Sequence, residues 1–346
     1  MTDENILLEV RGLRTAFHTE AGAWLAVDGV DFTLKRGEIL GLVGESGSGK
    51  SVTGFSLLGL IDPPGEVIAG SVIFDGEDLR GYDEERMRQL RGKRIAMIFQ
   101  DPLMTLNPVL RIEEQMVEAI LTHESVPYAE ALERCREALE MVGIPAPEKR
   151  LRSYPHEFSG GMRQRVAIAI AMLNNPDLII CDEPTTALDV TIQGQILYRM
   201  QEICRNQGTA LIWITHDLGV VAELAERIAV MYAGRIVETG TVAEVLDDPR
   251  HPYTRGLLDS MPGATTQAGA RLQQINGMAP SLSGRPVGCA FRPRCARAVD
   301  ACAVQTPERV FENARNSEDA RNDNARNYCC HAPLGHDPRA MAEASA

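Results

Sequence analysis

EILGLVGESGSGKSVTGFSLLGL, residues 38–60, decides the fold. Its first part, 38–44, is an apolar, β-rich run that ends at a glycine, as a buried parallel strand does. Residues 50–60 carry a helical pattern. The join between them, GESGSGKS (44–51), fits the phosphate-loop pattern G-x-x-x-x-G-K-[ST], and it stands in the strand-to-helix context that the pattern requires. Gly44, Gly47 and Gly49 permit positive φ and close backbone approach. The amides of Gly44, Glu45, Ser46, Gly47, Ser48 and Gly49 are then expected to ring a phosphate chain at a helix N-terminus, whose dipole favours anions. Lys50 is expected to bridge the β- and γ-phosphates, and Ser51 to ligate Mg²⁺.

Outward from this loop, IAMIF (95–99), LIICD (178–182) and ALIWIT (210–215) read as further buried strands. Helical patterns cover 50–60, 112–121, 128–142, 161–173, 191–206 and 217–226. Strands that alternate with helices predict an α/β parallel sheet. The block from about 86 to 160 is mostly helical after its strand and rich in charge, an insertion into that core. AGSVIFDGEDL (69–79) and MYAGRIVETG (231–240) alternate around Gly turns and read as antiparallel hairpins. Thr241 and Glu244 form a T-x-x-E capping box. Proline then rises and periodicity fades, which places a boundary near 246. ARN occurs at 314–316, 320–322 and 325–327, a polar repetitive loop with no chemistry assigned to it.

The chain has 346 residues, enough for one large or two medium domains, and a net charge of −13. An acidic chain is a poor nonspecific binder of nucleic acid or anionic lipid. The start, MTDENILLEV, lacks the basic and apolar regions of a signal peptide. The longest apolar run, VAIAIAML (166–173), is eight residues and too short to span a membrane. Both points suggest a cytosolic setting where thiols stay reduced. Yet Cys289, Cys295, Cys302, Cys329 and Cys330 crowd the tail. The C-x5-C-x6-C spacing of the first three favours thiolate ligation of a metal over free thiols. It matches neither the tight spacing of common zinc sites nor the common ferredoxin spacings, so the metal stays open.

LIICDEP (178–184) supplies the second half of a phosphate site. Its strand delivers Asp182 to hold Mg²⁺, and Glu183 follows to polarise a water. An acidic pair at a strand end is otherwise a helix cap or a solvated turn. Cys181 reads as a small buried hydrophobe. In FSGGMRQRVAIAIAML, Ser159, Gly160 and Gly161 open a helix and make a second anion-binding terminus. A phosphate chain already held by Lys50 does not need it, so the economical reading gives it to a nucleotide on another subunit.

With these residues the chain resembles the ATP-binding cassette (ABC) family over residues 6 to about 245. Walker A is GESGSGKS, the signature is FSGGM (158–162), and Walker B is LIICDEP. FQDP (99–102) resembles the Q-loop, which implies that Gln100 senses Mg²⁺ and water. ALD (187–189) resembles the D-loop, with Asp189 at a dimer interface. THD (215–217) resembles the switch, with His216 on the γ-phosphate. The family stacks adenine on an upstream aromatic residue, here Phe17 or, alternatively, Trp24. The resemblance implies a RecA-like P-loop core with an antiparallel β subdomain, a helical insertion at about 100–160, and a C-terminal extension over 246–346.

GKRIAMIFQDPLMTLNPV (92–109), YPHEFSGGMRQRV (154–166) and HPYTRGLL (251–258) narrow the resemblance to the D-type ATPases of oligopeptide and dipeptide importers. Leu103 and Met104 depart from the usual form of that stretch. The resemblance implies ATP and Mg²⁺ as ligands and peptide import as the task, with nickel, glutathione or another small solute as the alternative cargo. The partners it implies are an F-type ATPase subunit, two transmembrane permease subunits and an external solute-binding protein, on the cytoplasmic face of the membrane and with no nucleic acid. A homodimer is the alternative pairing, and a soluble non-transport ABC protein the rival class. GCAFRPRCARAVDAC…CH is similar to the C-terminal motif of these ATPases, which implies a [4Fe–4S] cluster on Cys289, Cys295, Cys302 and Cys330, the cysteine before His331. Cys329 is the competing fourth ligand, zinc the alternative metal, and no metal the third reading.

Overall fold

The computed structural model describes residues 5–20, 22–186, 188–261, 274–281, 284–312 and 325–335. Two long strands open the chain, β1 (Ile6–Thr19) and β2 (Gly22–Lys35), followed by β3 (Ile39–Val43), α1 (Lys50–Leu57), β4 (Gly65–Phe74) and β5 (Glu77–Asp78). Next come α2 (Glu84–Leu90), β6 (Ile95–Ile98), α3 (Ile112–Leu121), α4 (Tyr128–Met141), α5 (Pro147–Arg150) and α6 (Gly160–Met172). The middle of the chain holds β7 (Leu178–Asp182), α7 (Val190–Gln207), β8 (Ala210–Thr215), α8 (Leu218–Leu224), β9 (Arg227–Tyr232) and β10 (Arg235–Thr241). Helices α9 (Val242–Asp247), α10 (Pro252–Asp259) and α11 (Ala301–Val304) and strands β11 (Val310–Phe311) and β12 (Asn327–Tyr328) complete it.

These elements form two units, one of Met1–Leu7, Leu34–Ile39 and Asp75–Ile214, the other of Leu8–Thr33, Leu40–Phe74 and Thr215–Ala346. In the first, β6, β7 and β8 pair in parallel, with Ile98 opposite Cys181 and Cys181 opposite Trp213. Every residue of β6, β7 and β8 is buried, which is why these strands read as unbroken apolar runs. Cys181 is fully buried, and burial pushes its thiol well up, as suits a core hydrophobe. Helix α4 buries Ala131, Cys135, Ala138 and Leu139, one stripe at helical spacing, and packs on α3 and α6. This is the helical insertion expected from the sequence.

In the second unit β2, β1 and β4 lie side by side, and β3 pairs in parallel with β9. The hairpin expected at 231–240 is β9–β10, turning at Ala233 and Gly234, both at positive φ. At 69–79, Asp75 and Gly76 supply the two positive φ angles that a tight hairpin turn requires. Thr241 and Glu244 close the expected capping box on α9. Strand β12 pairs antiparallel with β10, so residues on both sides of position 246 share one sheet edge. Two copies of the ARN repeat, 314–316 and 320–322, lie outside the described residues. In the third, Arg326 bridges Glu312 and Asp248, and Asn327 opens β12.

Besides the short elements α5, α10, α11, β11 and β12, three elements carry no legible pattern in the sequence. Strand β1 has no clean alternation because irregularities between Arg11 and Arg14 and between Arg14 and Thr15 reset its pairing with β4. In β2, Gly29 at positive φ interrupts the pleat. Helix α2 buries only Met87, so no apolar stripe marks it, although Asp83 caps it.

Candidate nucleotide site

The phosphate loop leaves β3 and enters α1 as its sequence predicts. Gly44 (φ 156°), Gly47 (φ 77°) and Gly49 (φ 103°) all take conformations that L side chains avoid. A Cβ on Gly44 would stand 2.2 Å from the Met231 carbonyl oxygen, and one on Gly49 2.4 Å from that of Ala26. The loop is therefore pressed against its own unit at both ends. Its middle is open: a Cβ on Gly47 would meet nothing within 4 Å, and Ser46 and Gly47 are exposed. Lys50 is buried, and its Nζ donates to the carbonyls of Gly44 (2.8 Å) and Glu45 (2.9 Å). Ser51, half-buried, occupies the first turn of α1. Such a loop fits a polyphosphate chain, with a buried cation beneath a backbone that is open at Ser46 and Gly47, while the Glu45 amide, expected in the phosphate ring, donates to Tyr253 Oη at 2.8 Å. His216, expected from the resemblance to be the switch residue, follows β8 and is exposed; next to it Asp217 caps α8.

The other unit brings Gln100 and Glu183 together. Gln100 Nε2 donates to Glu183 Oε2 at 3.3 Å, and Thr186 Oγ1 donates to the same oxygen at 3.3 Å. Glu183 sits at φ 46°, left-handed for a non-glycine residue, and its N–H is held by the Ile214 carbonyl at 2.9 Å. That strain costs roughly 1–3 kcal/mol and persists only where the surroundings enforce it. Asp182, the last residue of β7, is 2% exposed. Ser159 is the N-cap of α6, its Oγ accepting the Met162 N–H at 3.3 Å. Ser159 and Gly160 are exposed, and a Cβ on Gly160 would meet open space. This helix N-terminus faces solvent, as an anion site for a second molecule would. Asp189 caps α7 through Ile192 and is exposed; its neighbour Ala187 lies outside the described residues.

Of the two aromatic candidates, Phe17 lies across Gly65, where an added Cβ would fall 2.7 Å from its Cε1 atom. Trp24 is half-buried on β2. Two residues to which the sequence assigned no role, Tyr253 and Arg294, bond to Glu45 from 208 and 249 positions away.

In the tail, Cys330 is pushed up to about 12, mainly by burial and in part by the neighbouring Cys289, Cys295 and Cys302. Those four thiols therefore share one neighbourhood. Cys329 feels Arg309, Arg235 and Asp31 instead. Among the described residues, however, no group of three or more His, Cys, Asp or Glu side chains is drawn together to hold a metal ion. For Mg²⁺ this is expected, since the ion takes its remaining ligands from water and phosphate. For a cluster it means that the thiols converge without a ready ligand cage. No helix among the described residues is long and apolar enough to cross a membrane.

Residues 27–186 match the family model described as ABC transporter, and residues 237–302 match that of the oligopeptide/dipeptide transporter, C-terminal region. The oligopeptide transport ATP-binding protein OppD of Bacillus subtilis (strain 168) is 52% identical over 302 residues, 87% of this chain and 84% of that protein. The protein of the same name from Salmonella typhimurium is 48% identical over 311 residues, 90% of this chain and 92% of that protein. Among solved structures, a dimeric ATP-binding cassette in a post-hydrolysis state with ADP and Pi superposes with a TM-score of 0.63 at 26% identity, covering 68% of this chain and 99% of that one. CbiO1 from Clostridium perfringens gives 0.59 at 27% identity, covering 71% of this chain and 92% of that one. With these matches over most of its length, the chain belongs to the ABC transporter ATP-binding proteins, in their oligopeptide/dipeptide branch.

Proposed function

We propose that this chain binds MgATP and hydrolyses it to energise import of oligopeptides or dipeptides through a membrane permease. The carrying observation is the Gly44–Ser51 loop, with buried Lys50 beneath a backbone that is open at Ser46 and Gly47. In this reading the loop amides and Lys50 bind the phosphates, and Mg²⁺, when bound at Ser51, Gln100 and Asp182, neutralises their charge. Glu183 accepts a proton from the attacking water, positioned by its bond with Gln100. His216 contacts the γ-phosphate, and Phe17 or Trp24 stacks on adenine. Lys50→Ala should lose MgATP affinity in calorimetry of the full chain. Unchanged affinity would remove Lys50 from this role.

The exposed N-terminus of α6 supports a composite site in which Ser159, Gly160 and Gly161 meet a nucleotide held by a second ATPase subunit, an F-type partner, with Asp189 at their interface. Leu103 (53% exposed), Met104 (68%) and Val109 (75%) follow Gln100 as exposed apolar side chains, of the kind that would suit contact with permease subunits. With an external solute-binding protein, these partners would place the chain on the cytoplasmic face of the membrane as a peripheral subunit. The division into a cassette at 1–245 and an extension at 246–346 follows the same reading.

For the tail we propose a metal centre on Cys289, Cys295, Cys302 and Cys330, a [4Fe–4S] cluster with zinc as the alternative. The influence of Cys289, Cys295 and Cys302 on the Cys330 thiol supports that set, and the different surroundings of Cys329 disfavour it as a ligand. About four irons per anaerobically purified chain, lost in Cys295→Ser, would bear this out. One zinc without iron would make it a zinc site, and alkylation of all the tail thiols with neither metal would refute it.

A further inference from the structure

Glu45, the second residue of the phosphate loop, is held at each of its polar groups. Its N–H donates to Tyr253 Oη at 2.8 Å, and its carbonyl accepts Lys50 Nζ at 2.9 Å. Its carboxylate takes a two-pronged contact from Arg294, with Nη1 to Oε2 at 2.6 Å and Nη2 to Oε1 at 2.9 Å. Planar pairs of this kind fix orientation as well as charge.

Both clamping residues are themselves fixed. The Arg294 side chain is 6% exposed, against 28% for Glu45. Its Nε donates to the Asn276 carbonyl at 3.0 Å, and its guanidinium lies 5.9 Å from the Tyr232 ring centre and 6.0 Å from that of Phe291. Arg294 ends a one-turn helix, Arg292–Arg294, inside the loop between Cys289 and Cys295. Tyr253 is fully buried, with its ring 4.5 Å from Tyr232 and 5.4 Å from Phe291. Tyr232, Tyr253 and Phe291 pack together, and from this buried cluster the Tyr253 hydroxyl and the adjoining Arg294 guanidinium reach the loop.

Two physical consequences follow. A glycine-rich loop loses much backbone freedom when it closes on phosphate, and pinning its second residue beforehand removes part of that cost. A carboxylate beside a polyphosphate repels every phosphate charge, and more strongly where water is excluded. Paired with Arg294, Glu45 no longer presents that net charge.

We propose that Arg294 and Tyr253 are positioning residues for the phosphate loop, holding Glu45 in place and neutralising it so that the loop accepts a nucleoside triphosphate. This rests on the nucleotide-binding reading above. The test uses the full chain with MgATP and MgADP, by calorimetry and steady-state hydrolysis. Arg294→Ala should weaken MgATP binding roughly tenfold, with a smaller effect on MgADP, which carries less charge. The loss should fall on KM more than on kcat. Adding Glu45→Gln to Arg294→Ala removes the orphaned carboxylate and should recover most of the affinity. Tyr253→Phe keeps the ring and loses only the acceptor, and should weaken MgATP by about threefold. If Arg294→Ala does not fold, Arg294→Lys, which keeps the charge but not the fork, makes the same comparison. A tail that needed Arg294 only for packing would lower the melting temperature, and Glu45→Gln would not restore affinity. Wild-type affinity in Arg294→Ala, or a double variant no better than the single, would overturn the clamp. Wild-type protein that bound no MgATP would overturn the nucleotide reading, and the clamp with it.

Discussion

His251 offers a quantitative test of how the tail is attached. The residue caps α10: its Nδ1 accepts the Tyr253 N–H at 3.0 Å, so the imidazole must be neutral on that nitrogen. It is 2% exposed, and burial lowers its pKa to about 3. An unfolded histidine titrates near 6.5, about three and a half units higher. Above pH 6.5 both states are neutral and His251 adds no pH dependence. Below it the unfolded chain binds a proton that the folded chain refuses, so stability falls by about 1.4 kcal/mol per pH unit until the folded pKa is reached. Between pH 6.5 and 5 the loss is about 2 kcal/mol. Glu238 works in the opposite sense. Burial raises its carboxyl pKa, so the folded state gains its proton first and is favoured as pH falls. The measurement is therefore a difference: urea unfolding of wild type and His251→Asn by circular dichroism, at steps from pH 7.5 to 5. Asparagine keeps an acceptor for the Tyr253 N–H without titrating. The variant should gain on wild type by about 2 kcal/mol between pH 6.5 and 5, and the two should run parallel above 6.5. A gap that stays constant over the whole range would refute the buried neutral imidazole.

Glu183→Gln should retain MgATP binding and lose hydrolysis by about 10²–10⁴-fold in single-turnover phosphate release, because it removes the base and leaves the phosphate loop untouched. Gly49→Ala should abolish MgATP binding, since its Cβ would strike the Ala26 carbonyl at 2.4 Å in a left-handed backbone. Gly160→Ala meets open space and should leave the melting temperature within about 1 °C while lowering hydrolysis by the assembled ATPase pair. Leu103→Asp with Met104→Asp should also fold normally, both side chains being exposed, and should weaken co-purification with permease subunits.

Much of the phosphate machinery is legible because it is local. Three glycines, a lysine and a serine in eight residues spell the loop, and the flanking periodicities place it between a strand and a helix. Buried parallel strands announce themselves as apolar runs, as β7 and β8 do. The cap at Thr241 is equally local, a side chain answering a backbone N–H three residues on. What hid from inspection lacked a period: β1 is reset by its bulges, and α2 buries one residue.

The sequence by itself determined the α/β class, the phosphate loop, the order of the acidic and signature motifs, and the cysteine spacing in the tail. Only the tertiary structure decided that Glu183 sits left-handed against Gln100, that Cys330 rather than Cys329 feels the other three thiols, and that Arg294 closes on Glu45. The reason is range. Glycine conformations, caps and strand periodicity depend on neighbours a few residues away, which the order of residues records. The Arg294–Glu45 pair joins positions 249 apart, and nothing near either residue names its partner until the chain has folded.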